Sequence, residues 1–254
     1  MKHVLTYGLL GSLAVSLAAC AAPQRGPSNK VIERVLAKAP GKAQPSNIVA
    51  TEIAYARAAK EQGFAAAALA NAAPGAQIHL RNGVVPIQAI AQALEEAGVE
   101  TQWGPRVVVQ SCDGSLALSQ GRFIDGEGKV GNYVTAWAQQ PDGSFKWTYD
   151  VAGLDDPQPP PRPEFEDGDI VVTALDLVEG LIATCPRAGQ ALPAAPAIPA
   201  STGGASAMQI SRDGTLRWRW EHREGNMKYV TADYYFEGQW VTAIEETLAS
   251  APQE

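Results

Sequence analysis

A chain of 254 residues, 46% of them apolar, is long enough to bury one large core or two small ones. Its formal charge of −7 excludes a surface built to neutralise phosphates, which needs a surplus of Lys and Arg, so nucleic acid is not expected as a partner. The same charge gives no electrostatic attachment to anionic lipid.

Lys2 and His3 precede an apolar run from Val4 to Ala19 that is broken only by Gly, Ser, Thr and Tyr. The run is short and rich in small residues, whereas a spanning helix wants roughly 20 apolar residues. A charged start, an apolar middle and small residues before a cleavage point are the order of a secretory signal. Its end, Leu17-Ala18-Ala19-Cys20, resembles the lipobox of bacterial lipoproteins, whose cysteine takes a diacylglycerol and becomes the first residue after cleavage. The resemblance implies lipidation at Cys20 and an anchored body facing the periplasm. The three cysteines are Cys20, Cys112 and Cys185, an odd number for an exported chain. With Cys20 lipidated, Cys112 and Cys185 remain, and an oxidising compartment would let them form a disulfide. The alternative is two separate buried thiols.

Residues 20–45 are rich in Ala, Pro, Gly and Ser and read as a tether, with a short helix carrying Val31, Ile32, Val35 and Leu36 on one face. Pro45-Ser46 opens a helical stretch to about Leu69. It should place Val49, Ile53 and Ala56 on its apolar stripe, with Glu52 on another face and a weak point at Gly63. A break at Ala73-Pro74-Gly75 leads to an extended piece, Gln77 to Leu80, and a turn at Asn82-Gly83. A second helix carries Ile87, Ile90, Ala91 and Leu94 between Pro86 and Gly98.

Beyond Trp103 the pattern changes to strands: Arg106 to Gln110, Ser115 to Ile124, Val130 to Gln139 and Phe145 to Val151. Asp113-Gly114, Asp125-Gly126 and Asp142-Gly143 separate them, and Asp-Gly tolerates the positive φ of tight hairpins. Helices followed by an antiparallel meander make an α+β pattern. After a proline-rich break come an apolar segment to Cys185 and an Ala/Pro-rich loop. A further meander runs through Met208 to Ser211, Leu216 to His222, Lys228 to Phe236 and Gln239 to Leu248.

The order of helix, short strand, helix and long meander resembles the nuclear transport factor 2-like superfamily, which includes ketosteroid isomerase and SnoaL-type cyclases. The wording is similar to that of uncharacterised lipoproteins of that superfamily. The matching phrases are Ala43-Gln44-Pro45-Ser46, Ser111-Cys112-Asp113-Gly114-Ser115-Leu116-Ala117, Gly131 to Trp137, and Asp142-Gly143-Ser144-Phe145-Lys146-Trp147 with Asp150. The resemblance implies a cone of helices on a curved antiparallel sheet, here with a C-terminal β extension. The expected organisation is a signal peptide over 1–19, a tether over 20–45, the cone over 46–156, an acidic Pro-rich linker over 157–168, and the extension over 169–250 with a mobile loop at 188–205.

Ketosteroid-isomerase-like cones hold a small apolar ligand, and the resemblance implies a tyrosine and two carboxylic groups inside, one kept neutral by an apolar site. The pocket candidates by residue type are Tyr55, His79, Tyr133, Trp137 and Asp150, with Tyr149 beside them. Alternation puts Tyr133, Thr135 and Trp137 on one face, and Phe145, Trp147 and Tyr149 on one face of the next strand. Stripes of that kind are most often core. A histidine between Ile78 and Leu80 reads first as structural, and Asp150 first as a strand-end acceptor, with a general base as the sharper reading. The carboxylates Glu164, Glu166, Asp167 and Asp169 lack the calcium-loop pattern and read as a solvated linker. Arg217-Trp218-Arg219-Trp220 alternates as a half-buried strand does. No zinc-site spacing, phosphate loop, dinucleotide fingerprint or nucleophile elbow is present, so no cofactor and no metal are expected.

These readings describe an anchored module that binds a small apolar ligand or an envelope partner, with no catalytic constellation. The alternatives are an isomerase-like or cyclase-like enzyme, and a structural envelope protein associating through a sheet. A homodimer through a sheet face is a further expectation.

Overall fold

The computed structural model describes residues 41–160, 177–187, 189, 191–198 and 204–250. The expected signal segment, Cys20, the expected short tether helix and the carboxylates from Glu164 to Asp169 lie outside the described residues. The described residues all belong to one unit.

Helix α1 (Pro45–Gln62) begins with Pro45 in its first turn, where the missing N–H costs nothing, and ends at Gly63, whose φ of 92° no L side chain adopts comfortably. Helix α2 (Phe64–Asn71) continues from that break, and α3 (Ile87–Glu96) starts after Pro86. Among the described residues there are eleven strands: β1 (Ala72–Leu80), β2 (Gly83–Pro86), β3 (Thr101–Gln110), β4 (Leu116–Asp125), β5 (Val130–Gln139), β6 (Phe145–Leu154), β7 (Glu179–Ile182), β8 (Ser206–Ile210), β9 (Leu216–Arg223), β10 (Met227–Phe236) and β11 (Gln239–Leu248). They form a seven-stranded sheet in the order β2-β1-β6-β5-β4-β3-β7 and a four-stranded sheet in the order β11-β10-β9-β8. Only β1 with β6 and β3 with β7 run parallel. The α+β architecture implied by the resemblance is present.

The seven-stranded sheet is covered on both faces. One face packs against the helices through Ile48, Tyr55, Ala67, Ile87, Val108, Trp137 and Trp147. The other packs against the four-stranded sheet through Leu118, Val134, Tyr149, Val151, Trp218, Trp220 and Val230. Trp147 donates Nε1–H to the Ala68 carbonyl at 3.0 Å and so pins α2 to β6. Cys112 and Cys185 form a disulfide with Cα atoms 5.1 Å apart, tying the turn after β3 to the segment after β7.

Three sequence expectations are corrected. The buried stripe of α1 is Ile48, Glu52, Tyr55 and Ala59, while Ile53 is 50% exposed. Aliphatic residues suggested the wrong face, because the large Tyr55 ring sets which side of the helix turns inward. The expected break at Ala73-Pro74-Gly75 lies inside β1, where the register with β6 shifts between Ala72 and Gln77. A bulge also displaces Tyr149. Ala136 pairs with Tyr149 but Trp137 pairs with Trp147, so Thr148 is an extra residue on β6. Phe145 and Trp147 therefore face the helices, and Tyr149 faces the second sheet.

Candidate functional site

Tyr133, Thr135 and Trp137 line the helix-facing side of β5, as alternation predicts. Trp137 donates Nε1–H to the Ser119 hydroxyl at 2.9 Å, and Thr135 donates to Asp150 Oδ2 at 3.0 Å. Tyr133 lies over Gly121, where a Cβ would stand 2.6 Å from the phenol oxygen and 2.1 Å from the Gly104 carbonyl. Glycine is needed there for close approach, not for a turn.

Glu52 reaches this face from α1. Burial raises its carboxyl to about 7, against the pull of the Tyr133 and Ser119 hydroxyls, and the nearby Asp150 charge adds to the rise. Both hydroxyls are close enough to act electrostatically, yet Glu52 Oε1, Glu52 Oε2 and Tyr133 OH make no hydrogen bond of normal geometry among the described residues. Asp150, only partly accessible, is raised to about 6 by burial, which the Thr135 hydroxyl and the Lys228 ammonium oppose. Burial likewise raises Tyr55 and Tyr133, reinforced by the neighbouring carboxylates. This is a closed acidic cluster whose neutral forms are favoured.

Beyond Tyr55 the cone opens. The Tyr55 ring meets Trp103 edge-on with centroids 4.9 Å apart, and Phe64 meets the same indole at 6.1 Å. Trp103 and Phe64 line a cleft of about 1120 Å³ with Leu94, Val99 and Ile124 as apolar wall and Arg57, Lys60 and Glu95 among its polar groups. Ala59 lines the cleft one turn past Tyr55, whereas Glu52 lies one turn short of it and does not line it. Trp103 is the aromatic floor of the cleft, and Tyr55, which does not line it, backs the indole on the side of the carboxyl cluster.

His79 lies elsewhere. It is on the opposite face of the sheet, buried between the two sheets, with Nδ1 2.6 Å from Tyr149 OH and Nε2 3.0 Å from His222 Nδ1. Burial, the His222 charge and the Lys228 charge lower it to about 4. Either direction of donation along Tyr149–His79–His222 satisfies both contacts while His79 is neutral.

Of the five pocket candidates, the structure gathers Tyr55, Tyr133, Trp137 and Asp150 and sets His79 apart. Sequence reasoning missed Glu52, Ser119 and Trp103. Glu52 was recognisable in principle: it stands four residues after Ile48 and three before Tyr55, the spacing of one helix face. Ser119 and Trp103 carried no comparable signal. Among the described residues no group of three or more His, Cys, Asp or Glu could hold a metal ion, and no helix is long and apolar enough to cross a membrane.

No family model matches the chain, and no curated protein matches its sequence. Three solved structures are similar in shape. ActVI-ORFA from Streptomyces coelicolor matches at 13% identity and a TM-score of 0.36, over 44% of this chain and 96% of its own. A nuclear transport factor 2-like superfamily protein from Salmonella enterica serovar Typhimurium matches at 11% identity and a TM-score of 0.35, over 49% and 96%. A nuclear transport factor 2-like protein of unknown function from an Exiguobacterium species matches at 16% identity and a TM-score of 0.26, over 38% and 86%. Likenesses of this degree assign no activity to this chain.

Proposed function

We propose that this protein is an envelope lipoprotein, anchored through Cys20 and facing the periplasm, that binds a small and largely apolar ligand in the cleft above Tyr55 and Trp103. The supporting observation is the aromatic floor: Trp103 and Phe64, with Tyr55 packed edge-on behind Trp103, stand in a cleft of about 1120 Å³ whose lining mixes apolar and charged residues, room enough for a small molecule. A thermal-shift screen of the purified protein against apolar metabolites tests this reading. Compounds should raise the melting temperature of the wild type and lose that effect in Trp103→Ala. A screen without shifts, or shifts untouched by Trp103→Ala, would contradict it. Mass spectrometry of the mature protein should find diacylglycerol on Cys20, and Cys20→Ser should be released as a soluble form. A membrane-bound wild type without lipid would defeat the anchor.

A second reading, an acid–base enzyme, is favoured by one observation. Glu52 and Tyr133 hold oxygens with no hydrogen-bond partner among the described residues, and the Glu52 carboxyl is itself raised to about 7, a pKa suited to proton transfer near neutrality. It requires substrate to pass the Tyr55–Trp103 floor. If so, the same compounds should be turned over by the wild type and not by Glu52→Gln.

A further inference from the structure

The turn from Ser111 to Leu116 recurs one hundred residues later. Ser111-Cys112-Asp113-Gly114-Ser115-Leu116 and Ser211-Arg212-Asp213-Gly214-Thr215-Leu216 fold alike, with Gly114 at φ 73° and Gly214 at φ 72°. In each turn the first serine hydroxyl donates to the aspartate Oδ1, at 2.7 Å and 2.6 Å. In each, the leucine N–H donates to that serine Oγ, at 3.2 Å and 3.0 Å.

The likeness extends through the strands. Tyr133-Val134-Thr135-Ala136 of β5 and Tyr229-Val230-Thr231-Ala232 of β10 are identical and stand in the same register to the preceding strand. Gly121 faces Tyr133 as Glu221 faces Tyr229, and Leu118 faces Ala136 as Trp218 faces Ala232. Even the bulge repeats. The extra residue Thr148 follows the Trp137–Trp147 pair, and Ala243 follows the Asp233–Thr242 pair in the same way. A shared tetrapeptide could be coincidence, but a shared tetrapeptide, turn, register and bulge mark one unit used twice.

The two units meet face to face through equivalent positions. Leu116, Leu118, Val134 and Ala136 from one, and Leu216, Trp218, Val230 and Ala232 from the other, belong to the same core. The contacts between the turns are reciprocal: Cys112 N–H donates to Thr215 Oγ1 at 3.0 Å, and Arg212 N–H donates to Ser115 Oγ at 3.3 Å. Reciprocity of this kind, in which i meets j and j meets i, defines the isologous interface of a two-fold dimer. The opposite faces have diverged. Ala117, Ser119, Gly121 and Trp137 face the helices, whereas their counterparts Arg217, Arg219, Glu221 and Asp233 are charged and include two ion pairs, Arg217–Asp233 and Arg219–Glu221.

We propose that the packing of the two sheets is an isologous subunit interface carried within one chain, with β8–β11 a second copy of β3–β6 standing where a second molecule would. The apolar face of the seven-stranded sheet is thus built for a copy of itself and is occupied from within. The homodimer expected through a sheet face is replaced by this internal contact.

Sedimentation and thermal melting of the full chain test the proposal. The wild type should not associate through this face at any concentration. Ser115→Ala, which removes the bond from Arg212, and Thr215→Val, which removes the bond from Cys112 together with the hydroxyl's own bond to Asp213, should each lower the melting temperature by at least about 2–4 °C for a chain of this size. The exchange variant Ser115→Thr with Thr215→Ser should melt as the wild type does. Undocking the second sheet with Trp218→Asp and Trp220→Asp, with both bridging cysteines changed to serine, should give a reversible dimer whose amide protection at Val134 and Val151 rises with concentration. A wild-type dimer cross-linked through Leu118 or Trp218 would overturn the proposal. So would a Ser115→Ala or Thr215→Val variant that melts as the wild type does, or an undocked variant that folds and stays monomeric. If the undocked variant fails to fold, the serine and threonine variants decide.

Discussion

Glu52 shows how a single carboxyl can set the acid–base behaviour of the interior. Its pKa rises from 4.5 to about 7, so the folded protein holds the proton more tightly than the unfolded chain. Stability from this group is fully present below pH 4.5 and is lost as pH rises toward 7, by about 3 kcal/mol across that window. Glu52→Gln should therefore match the wild type near pH 4 and melt higher than it at pH 8. An equal or lower melting temperature at pH 8 would mean that Glu52 is charged and well solvated in the fold. His79 works in the opposite sense. Its pKa falls from 6.5 to about 4, so its contribution is present above pH 6.5 and is lost on acidification toward 4, as a charged His79 would be buried and would face His222 and Lys228. Replacing His79 with Gln should flatten the acid limb of a melting-temperature profile between those values, while leaving the Glu52 limb in place.

Strands and helices differ in how far their pattern foretells their faces. β5 and β9 were legible because alternation holds over their whole length, placing Tyr133, Thr135 and Trp137 together and setting Trp218 and Trp220 against Arg217 and Arg219. On β6 a single inserted residue, Thr148, reverses everything after Trp147, and nothing in Lys146-Trp147-Thr148-Tyr149 announces a bulge. α1 was misread for another reason: its apolar residues are nearly evenly spread, so the side carrying Tyr55 could be chosen only by knowing what Tyr55 packs against. Close approach is equally silent. Gly121→Ala places a methyl 2.1 Å from the backbone of Gly104, which cannot step aside, and should cost about 3 kcal/mol in urea unfolding. Gly143→Ala, strained only by its φ of 85° in open space, should cost about 1 kcal/mol.

For the molecule as a whole, the pairing of Cys112 with Cys185 joins parts that the chain separates by 73 residues. Reduction should lower stability by about 4 kcal/mol if loop entropy dominates, and a native protein indifferent to reductant would show that docking of the second sheet does not depend on the bridge. Both meanders were readable, the first from its Asp-Gly turns and the second from its alternating segments, but their mutual packing was not, since sheet-to-sheet contact leaves only alternation in each strand. The site was half legible for the same reason. Residue type pointed to Tyr55, Tyr133, Trp137 and Asp150, while the floor formed with Trp103 and the sealed Glu52 arise only from how α1 lies on the sheet. The most direct measurement is calorimetric titration of the apolar compound that gives the largest thermal shift, into wild type, Trp103→Ala and Glu52→Gln. Binding above the aromatic floor predicts at least a tenfold loss of affinity for Trp103→Ala and less than a twofold change for Glu52→Gln. Binding that survives Trp103→Ala but fails with Glu52→Gln would place the ligand among the buried carboxyls and contradict a cleft closed by Tyr55 and Trp103.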